Sequence, residues 1–455
     1  MKKKLPLLTL ATLLSSIGFT SCSVKDEIIY YNFKPELTSD KWEKIIDEFK
    51  KDTGITLKVK TAASGQYESS LRGEMGNRDK PTIFQINGPV GYNNWKDYCS
   101  DLTDTTLYKN LSNQSMAVKI DNKAYAIPAT VEGYGIIYNK SIVKAYREHA
   151  EISGTTKTTY TDADGVLQVK NFNELKTVVE DIQANKGKLG LEGVFSVTGL
   201  DASTSWRITG HLFNLPLVGE FGSSTTSIPS EFKFTYAENY RNLLDLYLKN
   251  SSSVGNYASA VEKTMAAANG EFTDKKSLMI QNGNWATSDL TSGNSKVKTD
   301  DLAYLPMYSG DLGNNVKQSN QGLCVGTESY LTVNSKATAR EKENGIRFLE
   351  WLFCGNGKER AVKDLAFMPP FKGYDSLKPT DALTLQVYNW MNYSDYVSVP
   401  WDFTLVPSTD DQRAALVTDL KAYYNDNLSD AKWTSLVTNA KAKWAELAKT
   451  INSNS

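Results

Sequence analysis

The chain has 455 residues, 23% of them charged and 40% hydrophobic, an ordinary globular composition at a length that exceeds one common core. Lys and Arg total 51 against 52 Asp and Glu, so the formal net charge is −1. That excludes the basic field of a nucleic-acid binder and an acidic tail, and two histidines exclude a His-rich metal centre.

The N-terminus reads MKKK, then an apolar run from Leu5 to Leu14, then Gly18-Phe19-Thr20-Ser21-Cys22. A basic segment, a short apolar segment and small residues before a cut site predict a secretory signal over residues 1–22, too short to span a membrane as a stable helix. Cys22 at the first mature position predicts a lipobox and an acyl anchor, although Phe19 stands where Leu is more usual. Ordinary cleavage with Cys22 incidental is the alternative. Cys99, Cys324 and Cys354 then form an odd set without close spacing. Buried free thiols are expected, with one pair among them left open.

Ile28 to Asn32 reads as a strand. Asp40 to Lys51 reads as an amphipathic helix with Trp42, Ile45, Ile46 and Phe49 on one face and Asp40 with Glu43 as a capping box. Gly54 ends it, and Ile55, Leu57 and Val59 alternate with lysines as a second strand. Strand, helix and strand within about thirty residues predict an α/β fold. Pro81 to Gly88 repeats the theme, so Lys34, Glu36 and Asn87 all fall just past the carboxyl ends of strands, where α/β sheets bind ligands.

Lys123 to Lys140 is the pivotal stretch. Polar and apolar residues alternate up to Ile127, Pro128 breaks the ladder, and Gly135 to Tyr138 reads as a buried strand. Glu132 lies between, so its carboxylate is either paired or faces a wet cleft; a hinge-side ligand group is the expectation. Gly133 and Gly135 are expected to give the backbone room to bend.

Ile142 to Ala150 and Phe172 to Ala184 read as helices, the second with Asn171 and Glu174 as cap partners. Thr161 to Val166 reads as a hairpin turn, since the rest of a calcium loop is missing. Phe195 to Thr198 predicts a strand, followed by Trp206 and a helix through His211 and Phe213. Tyr236 to Lys249 predicts a helix, and Lys276 to Gln281 a strand running into Trp285. Leu302 to Pro306 predicts a strand, and Leu323–Val325 with Tyr330–Asn334 a return hairpin. Arg340 to Cys354 and two terminal helices close the chain, the last with Trp433, Leu436, Val437, Ala440, Trp444, Leu447, Ala448 and Ile451 on one stripe.

The order of several pieces carries a resemblance: Y-A-I-P then E then Y-N-K over Tyr125–Lys140, N-G-N-W at Asn282–Trp285, Y-L-P at Tyr304–Pro306, and Gly322 to Asn334 before a helix. From about Ile28 to Ile451 the chain resembles the extracellular solute-binding proteins of carbohydrate ABC importers. The resemblance implies a two-lobed α/β, periplasmic-binding-protein-like fold with three hinge crossings, near Ala129–Gly135, Leu305–Ser309 and Ala366–Gly373. The N-terminal lobe would be 23–131 plus 309–368, the C-terminal lobe 132–308 plus 369–455. It further implies capture of an oligosaccharide by hinge closure and delivery to an ABC permease, by a monomer tied to the membrane through its lipid alone, without cofactor, metal or nucleic acid.

Sugar sites combine flat aromatic rings with carboxylates, amides and basic groups. Trp206, Trp285 and Trp401 lie in loop-like contexts, whereas Trp42, Trp351, Trp433 and Trp444 lie on helices and read as core; Trp95 and Trp390 are undecided. By resemblance, Trp285 is the stacking residue, Glu132 bonds hydroxyls near the first hinge, and Lys34 and Glu36 contact ligand from the first loop. Tyr67 and Asn87 join this set, as does Asp410 (or Asp411), an acid where maltose-binding members carry an aromatic. An α-galactoside such as raffinose is the leading candidate. No enzyme is expected, since H-E-x-x-H, G-x-S-x-G, Walker and G-x-G-x-x-G motifs are missing. The competing readings are a surface glycan-binding lipoprotein without a transporter and a carboxylate-pair glycosidase.

Overall fold

The computed structural model describes residues 26–453 apart from 64–65, 202, 223–227 and 314, with side chains up to residue 450. The expected signal segment, Cys22 and the side chain of Ile451 therefore lie outside the described residues.

Among the described residues, twelve strands form two sheets. The first contains β1 (Glu27–Asn32), β2 (Thr56–Thr61), β3 (Ile83–Ile86), β4 (Val118–Ile120) and β5 (Lys123–Pro128); the second opens with β6 (Glu132–Asn139), β7 (Gly193–Ser196), β8 (Ser277–Gly283) and β9 (Leu302–Leu305). The last three are β10 (Gln321–Gly326), β11 (Tyr330–Val333) and β12 (Val397–Val399). Sheet order is β2-β1-β3-β11-β5-β4 in the first and β12-β10-β6-β8-β7 in the second, with β9 also on β6.

Alternation along the central strands feeds a core on each face of the sheet, as expected for sheets covered on both faces. In β1, Ile28 and Tyr30 pack with Trp42, Phe49 and Phe348, while Tyr31 points to the other face with Leu71, Phe84 and Trp95. In β6, Tyr134, Ile136 and Tyr138 join the large core of the second lobe, and Ile137 joins Leu323, Leu383 and Val387 behind it. The result is a two-lobed α/β fold.

The passages between lobes lie side by side. Ala129 N donates to Ser329 O at 2.8 Å, and Val131 N donates to Met368 O at 2.8 Å. The first passage is Ala129–Val131, between β5 and β6. The second differs from the expected Leu305–Ser309. Strand β10 pairs with β6, and β11 pairs with β3 and β5, so the chain returns at Thr327–Ser329 and the expected hairpin does not form. Residues 309–326 therefore belong with the second sheet rather than the N-terminal lobe. The third passage runs later than Ala366–Gly373: Lys372 N still bonds Asn110 O in the first lobe, and Asp381 is the next residue tied to the second, through Thr287.

Asn171 Oδ1 accepts from Glu174 N at 3.0 Å, a formed N-cap. The first helix starts instead at Ser39 with Thr38 as N-cap, so Asp40 and Glu43 make no capping box. Asp162 Oδ1 accepts from Asp164 N and Val166 N, the bonds of a side-chain-stapled turn. Cys99, Cys324 and Cys354 are free.

Candidate ligand-binding cleft

Two loops at the carboxyl ends of strands face each other between the lobes. Asn32, the last residue of β1, turns its amide onto the carbonyl of Lys34 at 2.8 Å and accepts from Lys34 N at 3.1 Å, which aims the lysine across the gap. Lys34 Nζ reaches Glu132 Oε1 at 2.5 Å and Glu36 Oε1 at 3.4 Å. Lys34 and Glu132 are each 6% exposed. Burial works against the ammonium, yet Glu132 and Glu36 hold its pKa above the ordinary lysine range. Burial raises Glu36, against the pull of Lys34. Ser329 Oγ donates to Glu132 Oε2 at 3.3 Å, so this carboxylate gathers the first lobe and both of the first two passages. Glu132 is thus a buried ion pair as it stands, and it is the first residue of β6 rather than a loop residue before it.

The wall opposite is aromatic. Gly283 ends β8, and a Cβ there would lie 2.2 Å from Trp285 Cη2; only glycine lets the indole fold back over the strand end. Trp285 lies 6.0 Å from Trp206 and 5.7 Å from His211, ring centre to ring centre. His211 stacks on Tyr134 at 3.7 Å and meets Trp206 edge-on at 4.7 Å. Burial drives the His211 pKa well below the ordinary value, helped by the charges of Arg207 and Arg413, so the ring is neutral. Lys34 Nζ sits 6.0 Å from the Trp285 ring, which joins the charged and aromatic sides.

The gap holds two chambers. One of about 240 Å³ is lined by Lys34, Glu36, Glu132, Asn284, Trp285 and Asp381, among others. The second, of about 290 Å³, lies between Glu68, Asn87 and the helix Gly88–Trp95 on the first lobe and Glu328, Ser408 and Asp410 opposite. Burial raises the Glu328 pKa against the pull of Arg413, whose Nη2 is 4.0 Å away. Carboxylates and amides on both lobes, a lysine on the first and rings on the second have the chemistry to hold a polyhydroxylated ligand with apolar faces. Among the described residues no His, Cys, Asp and Glu group could hold a metal ion.

The profile of the bacterial extracellular solute-binding proteins matches residues 44–387, three quarters of the chain. The chain belongs to this family. A solute-binding protein is a binder rather than an enzyme, and its place is outside the cytoplasm. No helix among the described residues is long and apolar enough to cross a membrane. The multiple sugar-binding protein of Streptococcus mutans serotype c is 20% identical over 433 residues, 89% of this chain and 91% of that one. Among solved structures, the raffinose complex of the solute-binding protein RafE is similar with a TM-score of 0.64 at 17% identity, covering 93% of this chain and 99% of that one. A chitin oligosaccharide binding protein gives 0.66 at 17% identity, with 93% and 99% covered. Identities this low carry the fold alone.

On this solute-binding frame Lys34, Glu36, Glu132 and Trp285 come together, with Trp206 beside them. Asn87 and Asp410 line the second chamber. Tyr67 packs near Tyr31 and Phe33, and its hydroxyl accepts from Gln85 N at 2.7 Å and donates to Gln85 O at 3.1 Å, so it pins β3. Trp401 is 6% exposed and backs the wall behind Tyr134 and His211 instead of lining it, because Gly326 leaves room for its ring against β10. Trp95 is core and Trp390 lies in a half-exposed cluster with Tyr393 and Tyr396. Sequence reasoning passed over Tyr134, His211, Glu328 and Arg413. Glu328 alone had a signal, since it falls inside the matching Gly322–Asn334 run at a point where the chain changes sheet.

Proposed function

We propose that the protein captures an oligosaccharide between its lobes by hinge closure and hands it to an ABC permease. The observation that carries this reading is the meeting of the Trp285 and Trp206 rings with Lys34, Glu36 and Glu132 across the interlobe gap. Rings cover the apolar faces of pyranoses, and charge-assisted bonds hold their hydroxyls. Relatives named for binding multiple sugars, raffinose and chitin oligosaccharides support the ligand class. An α-galactoside is the leading ligand. The protein acts as a monomer, anchored through acylated Cys22, with residues 23–131 and 132–308 forming the main parts of its two lobes.

A thermal-shift series with raffinose, maltotriose, chitotriose and mannotriose tests the reading. A saccharide in large excess over its Kd raises the melting temperature by several degrees, because binding to the folded state alone adds RT ln(1 + [L]/Kd). Silence across the series, with a response to peptides or amino acids, overturns it.

A further inference from the structure

The aromatic wall rests on a cation that ligand capture as described does not use. Arg207 is 5% exposed, and its Cζ lies 3.9 Å from the centre of the Trp206 ring. Its Nη2 donates to Asn282 Oδ1 at 3.3 Å, and its carbonyl accepts from Gln281 Nε2 at 2.9 Å. Gln281 and Asn282 belong to β8, the strand that leads through Gly283 to Trp285. Arg207 therefore touches one ring of the wall and the support of the other. Residues Arg207–Leu212 form a π-helical turn, with Phe213 N bonded to Ile208 O. The turn brings both Arg207 and His211 to Trp206, the guanidinium over the ring and the imidazole 4.7 Å away and nearly perpendicular to it. Trp206 Nε1 donates to Ser203 O at 2.8 Å, which also fixes the ring, and Trp285 lies 6.0 Å away with its plane tilted by 50°.

A buried guanidinium is costly unless it is paired, and none of the ion pairs among the described residues includes Arg207. Asp289 and Asp201 act on it only at longer range. The stack on Trp206 and the bond to β8 are its contacts of consequence.

We infer that Arg207 is a positioning residue of the ligand site: stacked on Trp206 and bonded to the end of β8, it sets the angle and spacing of the Trp206 and Trp285 rings. The nature of what stacks there rests on the saccharide reading; the placement of the rings does not.

A double-mutant cycle tests this with raffinose, maltotriose and chitotriose as probes. Arg207→Lys keeps the charge but loses the planar stack, and Arg207→Met keeps stem packing without the buried charge. Each raises the saccharide Kd by roughly three- to thirty-fold, the span of a desolvated cation–π contact, and by less than about two-fold in a Trp206→Ala background. Equal losses in both backgrounds, or none in either, overturn the inference. If wild-type protein binds none of the probes, the saccharide reading fails by itself, and the inference is read from Trp206 directly. The difference in acrylamide quenching between wild type and Trp206→Phe reports that ring. Increased quenching in Arg207→Lys at an unchanged melting temperature supports the role, and unchanged quenching removes it.

Discussion

At the scale of single residues, the chemistry divides between rings that stack and buried groups that must stay neutral. Trp285→Ala removes the half-exposed ring beside Lys34 and is expected to weaken saccharide binding by about 1–3 kcal/mol, the order for one lost stack; unchanged affinity by titration calorimetry refutes the stacking role. Two buried titratable groups belong to the wall and its backing, His211 within it and Asp402 next to Trp401. Asp402 has an Oδ2 without a hydrogen-bond partner among the described residues, and burial pushes its pKa up to about 7. Its unfolded form ionises near pH 4. The folded state therefore loses stability as pH rises from about 4 to about 7, and the penalty is complete above that range. His211 works in the other direction, because its depressed pKa means that stability falls as pH drops below the unfolded value of about 6.5. Asp402→Asn removes only the first effect. Its melting temperature should exceed wild type by a few degrees at pH 8 and match it at pH 4, and an equal offset at both values would show that the carboxyl does not titrate in this window.

At the scale of elements, β6 shows both what periodicity reveals and what it hides. The apolar run Gly135–Tyr138 was legible as a buried strand, as were the helix faces built on Trp42 and Trp433, because burial repeats with the period of the element. The glycines were not. Gly133 and Gly135 lie inside β6, where a Cβ would come within 2.5 Å of Val387 Cγ1 and 2.6 Å of Leu305 O, so they serve close packing rather than bending. Only a tertiary neighbour could say so. The β10–β11 connection failed for the same reason: two short apolar runs four residues apart look alike whether they pair or part to different sheets. Gly133→Ala is expected to cost about 1–3 kcal/mol by overpacking against the helix Ala382–Asn392. Urea unfolding of Gly133→Ala with Val387→Ala should recover part of that loss, since the second change removes the clashing methyl groups; strict additivity would place the strain elsewhere.

At the scale of the whole molecule, the Lys34–Glu132 pair is the contact whose role depends on motion. Charge patterns in the sequence could place both residues near a cleft but not against each other, since 98 positions separate them and the fold alone closes the distance. In a rigid core, removing one partner of such a pair would cost about 3–5 kcal/mol, because the other charge stays buried. Here the two charges come from opposite sides of the interlobe gap, and opening would return Glu132 to water. Lys34→Met should therefore act on the lobe equilibrium more than on folding. The radius of gyration of the unliganded variant, measured by small-angle scattering, should exceed that of wild type, and saccharide affinity should fall because closure now buries a bare carboxylate. The melting temperature should drop by much less than a 3–5 kcal/mol loss implies. A large drop at an unchanged radius of gyration would mean that the pair is a fixed part of one body and that the lobes do not separate there. Adding Glu132→Gln to Lys34→Met decides between the two: if opening is driven by the unpaired carboxylate, neutralising it should restore the wild-type radius, and on the proposal that Glu132 also accepts from a sugar hydroxyl, saccharide binding should stay weak.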